Sequence, residues 1–173
     1  MNLLDICREF RTAIEVVCDE RGFSIKDRMH RFPGGCCDDT CDLFAYYLNE
    51  EYGIHTRQLV KIYEPDEPEI RCNHVVLLLD DDNIIDLTGD QFPGGPKVYY
   101  GKEDDFYQAM EFDRIQDNYN IEQDRRLWDD SDGITTRSVP SWIDRNTWVT
   151  PSLAKRSVRT SRPRSAARQG RMN

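Results

Sequence analysis

The sequence predicts an α+β fold in which helices pack on one side of a small antiparallel sheet. Three observations lead there. Two N-terminal segments carry apolar residues at helical spacing, a nearly continuous apolar run follows at 72–79, and a short turn, Asp81-Asp82-Asn83, leads from it into a further apolar stretch.

The elements follow in order. Over 3–20, Ile6, Phe10, Ile14 and Val17 recur every three or four residues, and Gly22 supplies a stop signal. Residues 23–35 form a loop closing on Phe32-Pro33-Gly34-Gly35. A second helix is expected over 36–51, with Cys37, Cys41, Phe44 and Leu48 on one stripe. Asp38 and Asp39 suit the positive end of its dipole, and Gly53 suits its end. Strands are expected at 57–63, at 72–79 (buried on both faces), and at 84–88 as the second arm of a hairpin. A further strand is read at 97–100 and a helix at 104–112. The second Phe-Pro-Gly-Gly, at 92–95, is a turn of like chemistry and not an internal repeat.

The chain has 173 residues, enough for one domain and a tail. It divides into a core at 1–114, a polar extension at 115–149 holding Trp128, Trp142 and Trp148, and a basic tail at 150–173. The formal charge of −9 conceals an asymmetry. The tail holds seven basic residues and no acid, which leaves 16 basic against 32 acidic residues in the body. Such a body repels nucleic acid and phosphate surfaces; only the tail, read as a solvated segment, offers them any affinity. No apolar run approaches the ~20 residues needed to span a bilayer. Acids within Met1-Asn2-Leu3-Leu4-Asp5-Ile6-Cys7-Arg8-Glu9 disfavour a secretory leader. Six cysteines, two of them adjacent, lack the pattern of a secreted disulfide framework. Reduced thiols and a cytoplasmic location are therefore expected.

Cys37 draws attention on chemical grounds. A cysteine nucleophile needs its thiolate, which a helix N-terminus and a nearby imidazolium both favour. Gly34-Gly35 precede Cys37 and a helix follows, so its amide points where an oxyanion would develop. Of three histidines, His30 and His55 lie in connections, whereas His74 lies within the apolar run Val75-Val76-Leu77-Leu78-Leu79. A histidine there is either a satisfied core residue or the partner of the thiol. Cys36 turns about 100° away from the stripe that Cys37 shares with Cys41.

The segment Cys37-Asp38-Asp39-Thr40-Cys41-Asp42-Leu43-Phe44 resembles the nucleophile helix of the transglutaminase-like branch of papain-like cysteine enzymes. Tyr47-Leu48 through Tyr52-Gly53-Ile54 is similar to that helix's end. His74 through Asp80, followed by Ile85-Asp86-Leu87-Thr88, resembles the family's His strand and Asp-Pro-Thr strand. The likeness spans roughly 30–92. It implies a papain/transglutaminase-like core, a Cys37–His74–Asp86 triad, an acyl-enzyme intermediate and a peptide, protein or amide substrate, with no cofactor or metal. The sequence departs from the pattern in Val76, where an aromatic often stands, and in Leu87 for the proline. No tryptophan lies near Cys37 as an oxyanion donor, and Gln91 is the candidate substitute.

The triad acid has two candidates. If the hairpin turns over 81–83, Asp80 pairs with Ile84 and His74 lies opposite Asp90. Asp86 is then on the same face but four positions away, roughly 13 Å along an ideal strand. A two-residue turn instead puts Gly89 opposite His74 and sends Asp86 to the other face; twist, a bulge or a longer loop brings Asp86 near. The hairpin favours Asp90 and the resemblance favours Asp86. Other readings of the cysteines are a zinc site drawn from Cys36, Cys37, Cys41, Cys72 and His74, a redox pair of Cys37 with Cys41 or Cys72, and a non-enzymatic binding module on the same fold.

Overall fold

A computed structural model of the chain describes residues 2–64 and 71–136. Helix α1 (Leu3–Asp19) starts where the Asn2 side chain accepts the Asp5 N–H, and it buries Ile6, Phe10, Ile14 and Val17 as its spacing requires. Helix α2 (Cys37–Tyr52) ends on Gly53 at φ 65°, a left-handed cap that glycine adopts without strain. The two helices join through Phe10, whose ring lies 4.6 Å from Phe44 and 5.0 Å from Tyr47.

Five antiparallel strands form one sheet: β1 (Arg57–Tyr63), β2 (Cys72–Leu78), β3 (Ile84–Asp86), β4 (Tyr99–Gly101) and β5 (Glu111–Gln116), in the spatial order β4-β3-β2-β1-β5. Strand alternation divides the sheet's two faces. Val60, Val75, Leu77 and Ile85 join the main core with α1, α2 and α4 (Arg125–Thr135). Leu59, Val76, Leu78 and Ile84 form a second, smaller cluster around Tyr107 of the one-turn helix α3 (Asp105–Gln108). The mixed α+β class is as expected, with the helices distributed over both faces instead of one.

Three local differences matter. The hairpin turn is Asp80-Asp81-Asp82: Leu79 N–H donates to Asn83 O at 2.9 Å, and Asp82 takes φ 58°. This is a three-residue loop ending in a left-handed residue. It lies one position earlier than expected, which moves the pairing by two, so that Leu78 faces Ile84 and Leu77 faces Ile85. Second, the helix expected over 104–112 stops at Gln108, and the chain continues as β5. Third, the boundary drawn at 114 falls inside β5. Beyond it, Ile121, Leu127 and Ile134 enter the main core, and Trp128 packs edge-on against Tyr46 at 5.6 Å. The described residues belong to one unit, Met1–Pro140. Trp142, Trp148 and the basic tail at 150–173 lie outside the described residues. Among the described residues no helix is long and apolar enough to cross a membrane.

Candidate active site

Cys37 is the first residue of α2, immediately after the Gly35 turn at φ 69°. Thr40 N–H closes the first helical turn onto Cys36 O at 2.9 Å, so the amides of Cys37, Asp38 and Asp39 stand ahead of the intrahelical bonds. Cys37 is 8% exposed. The first turn is pinned from outside: Arg28 binds both Asp38 and Asp39, and Arg126 of α4 binds Asp39 and Asp27.

His74 and Asp86 sit by strand alternation on the α3 face, opposite the face that carries α2. The strand that carries Asp86, β3, is short. It stops at Asp86, so the flank of β2 beside His74 carries no strand. The 3-10 turn Gly89–Gln91 and Phe92 fill that flank, with Gln91 and Phe92 against the imidazole. Cys37 lies near enough to the buried ring of His74 to help raise its pKa.

The carboxylate completes the arrangement. His74 Nε2 lies 2.7 Å from Asp86 Oδ2, and since an ionised carboxylate only accepts, Nε2 carries the hydrogen. Nδ1 stands 3.3 Å from Gln91 Nε2. Burial pulls the imidazole pKa down, but the charge and hydrogen bond of Asp86, with the contact to Cys37, outweigh it and raise the value to about 9. The balance favours the protonated ring.

The shifted hairpin brings one of the two acids to the imidazole. Continuing the observed pairing places His74 opposite Thr88, so Asp86 becomes its diagonal neighbour two positions away, within side-chain reach. Asp90 turns elsewhere: both its oxygens accept from Arg11, at 2.7 and 2.8 Å. Arg11 also donates to Leu87 O and Lys97 O and so clamps the whole connection from β3 to β4 onto α1.

The other five sulfurs are differently placed. Burial pushes Cys7 and Cys36 up to about 12 and Cys18 to about 11, and raises Cys41 and Cys72 as well. Cys36 donates to Pro33 O and Cys41 to Val75 O, which makes both structural thiols. Gln91 lies against the imidazole but is engaged. Its amide nitrogen donates to Thr88 O at 3.0 Å and stands 3.3 Å from His74 Nδ1, while its oxygen accepts Gly35 N–H. It brackets the glycine turn to the imidazole, and the helix-end amides remain as donors for an oxyanion. Among the described residues no group of three or more His, Cys, Asp or Glu side chains is disposed to hold a metal.

No family model, curated protein or solved structure matches the chain.

Sequence reasoning missed Tyr107, whose hydroxyl donates to Asp86 Oδ2 at 3.0 Å. The helix expected over 104–112 gives Tyr107 no role, and only the packing of α3 on the sheet brings it to the carboxylate.

Proposed function

We propose that this chain is a cysteine-nucleophile acyl-transfer enzyme built on a papain/transglutaminase-like core. The observation that carries the reading is the buried Asp86–His74 pair, on whose imidazole Cys37 acts from the start of a helix. In the proposed cycle the Cys37 thiolate, formed with the proton on His74 Nδ1, attacks a carbonyl carbon. The oxyanion forms against the amides at the N-terminus of α2. Nδ1–H then protonates the leaving group as the tetrahedral intermediate collapses, leaving an acyl-enzyme. Asp86 holds the tautomer and orients the ring throughout. Transfer of the acyl group to water makes the enzyme a protease, amidase or deamidase; transfer to an amine makes it a transferase. The substrate class is a peptide, protein or small amide.

The test is iodoacetamide labelling near neutral pH followed by peptide mapping. Cys37 is expected to be alkylated several times faster than the more exposed Cys72, and His74→Ala is expected to erase that lead. Equal, slow labelling of both in the parent chain would sink the reading. Cys37→Ala is then expected to abolish turnover of any amide or ester substrate found by screening.

A further inference from the structure

Asp86 is 1% exposed and takes hydrogen bonds from four donors. Oδ1 accepts the Thr88 N–H at 2.7 Å and the Thr88 hydroxyl at 3.1 Å. Oδ2 accepts His74 Nε2 at 2.7 Å and the Tyr107 hydroxyl at 3.0 Å. The last of these comes from a separate element. Helix α3 is one turn long, started by the Asp104 side chain, which accepts the amides of Phe106 and Tyr107. The Tyr107 ring is fully buried between Tyr99, at 4.8 Å, and Phe106, edge-on at 5.0 Å.

Packing does not account for a tyrosine at this place. Around it lie Leu59, Val76, Leu78 and Ile84, an apolar setting that phenylalanine would fill without a hydroxyl to satisfy. The phenol's described partner is the oxygen that His74 also uses. Two donors on one carboxylate oxygen fix its rotation and share its negative charge.

We propose that Tyr107 is a positioning residue for the site, acting through Asp86: its hydroxyl holds Oδ2 in line with His74 Nε2 and tempers the carboxylate's pull on the imidazole proton. Its catalytic consequence rests on the acyl-transfer reading, but the contact and its electrostatic effect do not. Burial and then the Asp86 charge push the Tyr107 pKa up, which keeps the phenol a donor at every working pH. The titratable and charged groups around the imidazole are Cys37 from α2, Asp86 from β3, and Lys61 from β1, its cross-strand neighbour, whose ammonium is engaged by Glu103. Those around the phenol are Asp86, Asp104 and Tyr99.

With the phenol donor removed, Asp86 presents more of its charge to the ring, so the imidazolium persists to higher pH. Titrating His74 by NMR in Tyr107→Phe is expected to move its midpoint upward by roughly half a unit from the parent. A midpoint unchanged or lowered, in a variant with native dispersion elsewhere, overturns the proposal. In the unsubstituted chain the Tyr107 hydroxyl proton is also expected as a slowly exchanging resonance with a cross-relaxation peak to the His74 ring. Its absence overturns the proposal as well, and this second measurement stands even where Tyr107→Phe fails to fold. Neither readout needs a substrate or a reactive thiol, so failure of acyl transfer and failure of this proposal leave different records.

Discussion

At the scale of single residues, the buried pair of His74 and Asp86 couples the site to the stability of the molecule. The His74 pKa is raised from 6.5 to about 9 on folding, so the native state binds this proton more tightly than the unfolded chain. The resulting stabilisation is complete below about 6.5 and is lost as the pH rises through about 9. The urea midpoint is therefore expected to fall across that interval in the parent, and Asp86→Asn to flatten the fall. A slope unchanged in Asp86→Asn would show that His74 titrates without the carboxylate. The choice of Asp86 was legible in the sequence only through a family likeness. The hairpin could not be placed to within one residue, because Asp80, Asp81 and Asp82 are chemically alike as turn formers. One step of the turn moves the pairing by two and leaves the face of every side chain unchanged. The face of Asp86 thus hung on whether the turn held three residues or two, and its distance from His74 on where that turn began.

At the scale of elements, two buried polar contacts carry testable weight. Arg11 joins α1 to the connection that holds Asp90, Gln91 and Phe92. Arg11→Ala strips a buried pair of one partner and is expected to cost about 3–5 kcal/mol in urea unfolding. Arg11→Lys should recover little, since one ammonium cannot reproduce the fork that reaches Asp90 and two carbonyls. Asp42 of α2 behaves in the opposite way. Its Oδ1 accepts from Gln58 and from Tyr119 N–H, and burial raises its pKa from 3.8 to about 7. The folded state favours the neutral acid, so stability is lost as the pH rises from 3.8 toward 7. Asp42→Asn keeps the accepting oxygen and removes the charge. It is expected to raise the thermal midpoint above pH 7 and to give no gain below pH 3.8. Both contacts arise where distant segments meet, which is why neither showed in the local pattern. Helices α1 and α2 did show, because each buries a regular stripe. Strand β5 did not: all of it but Gln116 is exposed, including Phe112 at 59% and Ile115 at 43%, so burial imposed no alternation on its sequence.

For the whole molecule, the segment after 114 is part of the fold. It completes β5, which pairs along β1, and it supplies Ile121, Leu127 and Ile134 to the main core. A chain ending at 114 is expected to lose cooperative thermal unfolding, and one ending at 140 to keep it; calorimetry on the two distinguishes them. Polar composition concealed this role. The residues 115–136 hold few apolar side chains, and those few are spaced across a strand end, a 3-10 turn and a helix that share no single period.

Cys37 is 8% exposed and His74 not at all, so a reagent must reach the sulfur through a small patch of surface. So small an approach sieves by girth. Alkylation at Cys37 should fall steeply from iodoacetamide to a bulky aryl maleimide, while Cys72, exposed on its strand, should react with both at similar rates. On the proposed acyl-transfer reading, the same sieve selects slender acyl groups and turns away branched ones, so the reagent series doubles as a gauge for a substrate.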